Sequence, residues 1–192
     1  GVDALGRDVL ALMDYLAIDR ADFCGLSMGG ATGIWLAVHA APRFRKFALC
    51  NTAAKIGTEE TWNARIAAVR AGGVAAVAEA ILERWFSPAF HASDAATVAR
   101  VRAMLRASDT SGYCANSMAI RDMDLRARLS EIGQPVLVTG GVADGSTPPA
   151  ETRKLAAAIA GARYVELNAA HLSNIEAAAD FNTAVLAFFR NG

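Results

Sequence analysis

Gly25-Leu26-Ser27-Met28-Gly29 is the stretch that decides how this chain is read. Ala21-Asp22-Phe23-Cys24 ahead of it is short and strand-like, and Gly30-Ala31-Thr32-Gly33-Ile34-Trp35-Leu36-Ala37 behind it opens a helix. A serine between two glycines, on a sharp turn from strand to helix, is the G-x-S-x-G nucleophile elbow. A Cβ on either flanking glycine is expected to strike the strand or the start of the helix. The helix behind the serine turns backbone N–H groups and the positive end of its dipole toward the elbow, where they favour developing negative charge. The five residues alone arise by chance in on the order of one chain in ten. Their weight therefore comes from the flanks and from an acid and a base further along the chain.

Working outward, Leu5, Val9, Leu12, Met13 and Leu16 give a helix over 3–17 with one buried face. The helix after the elbow covers 31–39 and stops near Pro42. Lys46-Phe47-Ala48-Leu49-Cys50 is a second buried strand, and Asn51 to Ile56 is the loop at its end. Strand, helix, strand favours a parallel pair with a helical crossover. From 59 to 130 only helical periodicity is left, on stripes such as Trp62, Ile66 and Val69, or Val98, Val101 and Met104. Breaks at Gly72-Gly73, at Ser87-Pro88 and around Ser108 to Gly112 divide it into about four or five short helices. The α/β pattern resumes with a strand at Pro135 to Thr139, a loop at Gly140 to Pro149, a helix at 152–159 and a strand at Arg163 to Leu167. A loop at Asn168 to Ser173 leads into a closing helix at 175–189. The domain reading is an α/β core from residues 1–56 and 131–192, with 57–130 as an inserted helical cap over the strand ends.

The 192 residues are 54% hydrophobic with zero formal net charge, which suits one globular domain with a sizeable core. Charge balance leaves no electrostatic footprint for nucleic acid or an anionic membrane. The longest apolar runs, such as Gly72 to Ala80, fall short of a membrane span, and no secretory signal precedes the first helix. Cys24, Cys50 and Cys114 are odd in number and lack a C-x-x-C, so neither a disulfide framework nor a metal site is expected. Cys24 and Cys50 read as small buried hydrophobes in a reducing cytoplasm. The sequence opens at Gly1, inside an amphipathic helix and ahead of its first methionine at Met13, and reads as a piece of a longer chain.

A serine nucleophile needs a base within hydrogen-bond reach and an acid that orients the base. There are three histidines. His39 ends the helix after the elbow, where a cation suits the dipole. His91 follows Ser87-Pro88-Ala89-Phe90 in the cap and is a secondary candidate for touching a ligand. His171 lies in the loop directly after the last strand, where α/β sheets place functional groups, and is taken as the base. The acid is Asp144, between the two in sequence and just after the Val136 to Thr139 strand; as an Asp-Gly pair it also suits an ordinary turn. Asp122, Asp124 and Asp180 sit in helical contexts as solvated or capping residues. The order Ser27, Asp144, His171 is that of the α/β-hydrolases.

Longer stretches make the likeness specific. They are Gly25 to Gly30, Asn51-Thr52-Ala53-Ala54-Lys55-Ile56-Gly57, Arg84-Trp85-Phe86, Gly112-Tyr113 with Ala119 to Arg126, and His171-Leu172-Ser173-Asn174-Ile175-Glu176. In them the chain resembles α/β-hydrolases, and among these the 3-oxoadipate enol-lactonases of the β-ketoadipate route of aromatic breakdown. The resemblance implies a mostly parallel sheet with an inserted helical cap, and no metal or organic cofactor. The substrate it implies is a small lactone or ester, a five-membered enol-lactone with a carboxymethyl arm, opened through an acyl-enzyme on Ser27. The Met28 N–H is one oxyanion donor. Arg84, Trp85 and Arg121 are the candidates for holding the substrate carboxylate. Their plainer roles are a solvated helix charge, cap core, and an ion pair with Asp124 at i,i+3. In the family, several strands and an oxyanion loop with a His-Gly pair come before the first helix seen here; the second oxyanion donor is expected there. With strands absent beside Ala21 to Cys24, that edge is expected to invite aggregation. The competing readings are a general carboxylesterase, a cofactor-free perhydrolase, and an inactive hydrolase-fold fragment or binding module.

Overall fold

Four parallel strands run side by side in sequence order: β1 (Ala21–Leu26), β2 (Phe44–Cys50), β3 (Val136–Gly141) and β4 (Arg163–Leu167). They are seen in a computed structural model that describes residues 1–190. Because every pair is parallel, each connection must cross back over the sheet, and a helix does so: α2 (Met28–His39) between β1 and β2, α8 (Pro149–Ala157) between β3 and β4. The same rule brings all four strand C-termini to one edge, where ligands bind in open α/β sheets.

The period-2 alternation of the strands divides their side chains between two apolar layers. Phe47, Leu49, Val136 and Val138 face a layer built with Ile34 and Leu36 of α2 and Leu155 of α8. The helix α1 (Val2–Tyr15) joins this layer through Val2 and Met13. Ala48, Cys50 and Leu137 face the other way, onto Phe181, Val185 and Phe188 of α10 (Ala178–Arg190). Covered on both faces, β2 and β3 read as continuous apolar runs, which is why the sequence betrays them so clearly. The outermost strand β1 differs. Cys24 shares the face of its partner Ala48, yet it is exposed, so the expectation of a buried Cys24 is corrected; Cys50, one strand further in, is buried.

Between β2 and β3 the chain is helical: α3 (Glu59–Gly72), α4 (Ala78–Trp85), α5 (Pro88–Ser93), α6 (Ala95–Arg106) and α7 (Thr110–Asp122). Short 3-10 turns stand at Val74–Ala76 and Arg126–Glu131. Ile66, Val69, Leu82, Phe86, Val98 and Val101 form a separate apolar cluster here. Thr58, Ser87, Asp94 and Asp109 each accept a first-turn N–H at a helix start, from Thr61, Phe90, Thr97 and Gly112. Such caps contribute about 1 kcal/mol apiece. Two boundaries differ from the sequence reading. The helix α8 begins at Pro149 rather than 152, because a proline at the first helical position loses no hydrogen bond. The closing helix is interrupted: α9 (Ser173–Glu176) ends at Ala177, whose φ of −120° and ψ of 47° leave the helical region before α10 begins. Among the described residues, no helix is long and apolar enough to cross a membrane, and no cluster of His, Cys, Asp and Glu could hold a metal ion.

Candidate active site

Ser27 sits between β1 and α2 with φ 55° and ψ −115°. A non-glycine residue held there stores roughly 1–3 kcal/mol of strain. Three bonds hold it: Ser27 N–H donates to Cys50 O at 2.8 Å, and Ser27 O accepts from Ala31 N–H at 2.9 Å and from Thr52 Oγ1 at 2.7 Å. The expected crowding is found at one motif glycine only. A Cβ on Gly25 would lie 2.3 Å from Gly29 O, whereas one on Gly29 would meet nothing within 4 Å. The second glycine that the turn requires is Gly30, where a Cβ would come within 2.6 Å of Thr52 Cγ2.

The Ser27 hydroxyl lies 2.9 Å from His171 Nε2, and His171 Nδ1 lies 2.9 and 3.1 Å from the two oxygens of Asp144. An ionised carboxylate only accepts. Nδ1 of a neutral imidazole must therefore carry the proton, which leaves Nε2 free to accept from the serine. Both partners are nearly sealed from solvent, His171 at 2% and Asp144 at 3% exposure. Burial is the largest single influence on Asp144 and pushes its carboxyl up. The bond to His171, then Asn51 and the Thr147 N–H, together outweigh burial and hold the carboxyl below its ordinary range. Ser146 N–H at 2.8 Å and Thr147 N–H at 2.9 Å donate to one oxygen; Thr147 Oγ1 at 2.8 Å and Asn51 Nδ2 at 3.0 Å donate to the other.

Asn51 was not among the sequence candidates for this cluster. It is fully buried at the end of β2 in a left-handed turn, φ 45°. Its amide also donates to Ala170 O at 3.3 Å, and its Oδ1 accepts from Ser173 Oγ at 2.5 Å. The signal was available: asparagine tolerates the left-handed region, and this one stands directly after a buried strand.

Met28 is the first residue of α2, so its N–H has no acceptor within the helix, and it lines the cavity beside Ser27. The cavity has a volume of about 460 Å³ and extends from Ser27 and His171 up between α3, α4 and α7. Among the described residues no aspartate or glutamate lines it, but Arg65 and Arg84 do. Arg84 lays its stem against Gly145, where a Cβ would stand 3.2 Å from Arg84 Cγ. Arg65 stacks its guanidinium 4.7 Å over the Trp62 ring, and Trp62 is fixed by its own Nε1–H donating to Ile56 O at 2.7 Å. Burial first, then the positive charge of Arg65, draws the Arg84 guanidinium below its usual value. Burial pushes the Tyr113 hydroxyl up, against the pull of Arg65 and Arg84 beside it. Among the described residues neither arginine has a salt bridge. Trp85 stacks over His171 with centroids 6.4 Å apart and planes at 30°.

Arg121 is the correction. It does not line the cavity, and it does not pair with Asp124. Its guanidinium donates to Asp122 at 2.7 and 3.0 Å and to Asn63 at 2.8 Å, while Asp124 is taken by Arg126. The cavity face of α7 is Tyr113, Asn116, Ser117 and Ile120, and the next residue turns about 100° away from it. Arg65 supplies the second cation instead; its signal was its place three residues after Trp62 on α3. His91 contacts Leu82 O at 3.2 Å within the helical segment between β2 and β3 and lies outside the cavity lining, and His39 stacks on Trp35. A second cavity, about 490 Å³, opens beside Arg20, Lys46 and Phe188 at the opposite ends of the strands, away from Ser27.

Comparison with known proteins gives consistent likenesses. The alpha/beta hydrolase fold family matches residues 1–178. The 3-oxoadipate enol-lactonase 2 of Acinetobacter baylyi is 40% identical over 189 residues, 98% of this chain and 71% of that protein. The 3-oxoadipate enol-lactonase 1 of the same organism is 38% identical over 172 residues, 90% of this chain and 65% of that protein. The crystal structure of the enol-lactonase from Burkholderia xenovorans has a TM-score of 0.98 at 46% identity, over 99% of this chain and 73% of that one.

Proposed function

The chain belongs to the alpha/beta hydrolase family and is a carboxylic ester hydrolase, and on that premise we propose that it opens 3-oxoadipate enol-lactone to 3-oxoadipate. The observation that carries the reading is the 2.9 Å contact between Ser27 Oγ and His171 Nε2, in a cavity lined, among the described residues, by two arginines and no aspartate or glutamate. Residues 57–130 act in this reading as a cap on a core made by 1–56 and 131–192. The enzyme would act in the cytoplasm, in the β-ketoadipate route of aromatic breakdown.

Ser27 Oγ attacks the lactone carbonyl carbon while His171 Nε2 takes the hydroxyl proton. Asp144 holds the imidazole and stabilises its cation. The Met28 N–H faces the carbonyl oxygen as it gains charge. The tetrahedral intermediate collapses with cleavage of the ring C–O bond, and the leaving enol oxygen takes the proton from His171. The enol then becomes a ketone, which draws the ring opening forward. Water, giving its proton to His171, attacks the acyl ester and releases the second carboxylate and free Ser27. No step needs a metal or an organic cofactor. Arg84 and Arg65, both near Tyr113 in the cavity lining, would hold the substrate's carboxylate arm, with Trp85 stacked beside His171.

Enol-lactone hydrolysis, p-nitrophenyl acetate hydrolysis, and peracetate formation from acetate and peroxide should be measured side by side. The lactone should be preferred in kcat/KM by about a hundredfold or more, a gap of about 2.7 kcal/mol in transition-state binding. Equal use of lactone and neutral ester would favour a general carboxylesterase, and a dominant peracid yield a perhydrolase. Arg84→Ala or Arg65→Ala should raise KM for the acidic lactone about tenfold and leave the neutral ester unchanged. The same loss on both substrates would remove the carboxylate role.

A further inference from the structure

Glu176 has no part in the chemistry at Ser27; it is half-buried, and among the described residues it pairs with no cation. It ends the short helix α9 and turns its carboxylate back toward two separate places. One oxygen accepts from Ala170 N–H at 3.1 Å, the peptide group just before His171. The same oxygen accepts from Ser87 N–H at 3.2 Å, at the corner between α4 and α5, and the Ser87 hydroxyl donates to the other. The Ser87 hydroxyl also caps α5 by accepting from Phe90 N–H at 3.2 Å. A second bond runs parallel to these: Leu172 N–H donates to Trp85 O at 3.0 Å. Leu172 and Ile175 pack against the apolar cluster of the helical segment rather than against the sheet. The loop that carries His171 is therefore fastened on both sides of the histidine to the α4–α5 corner, which also carries Arg84 and Trp85.

We infer that Glu176 is a positioning residue that registers the α4–α5 corner, and with it Arg84 and Trp85, against His171. A carboxylate suits this task. It accepts several N–H and O–H donors at once, its charge strengthens each bond, and two of those donors are main-chain groups whose places are fixed by the fold. A substrate arm held at Arg84 is then at a set distance from the base that serves Ser27. Loss of Glu176 leaves the triad's own bonds intact and loosens the distance between arm and base. A small misplacement of this kind reduces rate steeply for substrates that use both anchor points. The kinetic consequence rests on the arm-binding role proposed for Arg84; the fastening itself does not.

The test uses Glu176→Ala and the milder Glu176→Gln and Ser87→Ala, in case the first fails to fold. With mono-p-nitrophenyl glutarate, kcat/KM should fall about tenfold more than with p-nitrophenyl acetate. In an Arg84→Ala background that surplus should vanish, because the anchored arm is already lost. Glu176→Gln, which keeps one acceptor oxygen, should restore part of the difference. Where Arg84→Ala alone selectively weakens the glutarate ester, equal losses on both esters from Glu176→Ala, or a surplus that persists without Arg84, would overturn the inference. Amide hydrogen exchange reads the fastening without any substrate. Glu176→Gln should speed exchange in 85–93 and in 168–172 together. Faster exchange in only one of the two segments would overturn the inference even if the Arg84 reading stands, and joint acceleration would uphold it even if that reading falls.

Discussion

Asp144 is almost completely buried, yet its neighbours keep it ionised. Burial raises its carboxyl, and the donors from His171, Asn51 and Thr147 more than reverse this, so its folded value lies below the unfolded one of about 3.9. A depressed carboxyl stabilises the fold fully above the unfolded value, and this contribution is lost as pH falls through the folded value. The difference in urea midpoint between the wild type and Asp144→Asn should therefore be constant between about pH 6 and 8 and should change below about pH 4. A difference independent of pH from 7 down to about 2 would contradict the ionised carboxylate. Ser27, Asp144 and His171 were legible in the sequence because chain order and strand-end position are written there. Asn51 was not, because its role depends on a backbone angle and on two loops more than ninety residues away, 93 residues to Asp144 and 119 to Ala170.

At the scale of elements, the elbow is a contest between a strand and a helix for the same space. Gly25 is where they meet most closely, and Gly29 faces outward. Gly25→Ala should cost about 3 kcal/mol or more, since backbone at 2.3 Å cannot give way, whereas Gly29→Ala should change stability by less than about 1 kcal/mol. Urea unfolding of the two variants checks this, and equal losses would show that the motif glycines act alike. Helical periodicity indicates about four or five short helices between β2 and β3, where five form; α5 has no buried residue, and the Ser87-Pro88 break rather than a stripe marks it. Periodicity did not reveal which face of α7 meets the cavity, since one residue decides between Ile120 and Arg121 and both ends of that choice fit a helix. The break at Ala177 was hidden for another reason: α9 stops there, and no glycine or proline marks the stop.

For the molecule as a whole, parallel strands place the loops after β1, β2, β3 and β4 at one edge, so Ser27, Asn51, Asp144 and His171 converge although the sequence spreads them over most of its length. The helices between β2 and β3 lie above that edge and supply the walls of the cavity. Formal net charge is zero, yet the described residues give the cavity two arginines and no aspartate or glutamate. Composition averages over the surface and cannot show such a local field, which acts on a bound anion only within the site. The parallel pairing of the first two strands and its helical crossover came from the apolar runs and the β-α-β pattern, whereas the order β1-β2-β3-β4 depends on which strands pair and is not written there. The choice of Arg65 over Arg121 required the packing of α3 against α7.

The proposed mechanism turns on Ser27 as the group that opens the lactone. Hydrolysis of 3-oxoadipate enol-lactone by the wild type and by Ser27→Ala, with folding of the variant verified by its unfolding transition, tests this most directly. The mechanism predicts rapid turnover by the wild type and a loss of about 10⁴-fold or more in kcat for the variant. A folded Ser27→Ala protein that turns the lactone over at the wild-type rate would contradict it.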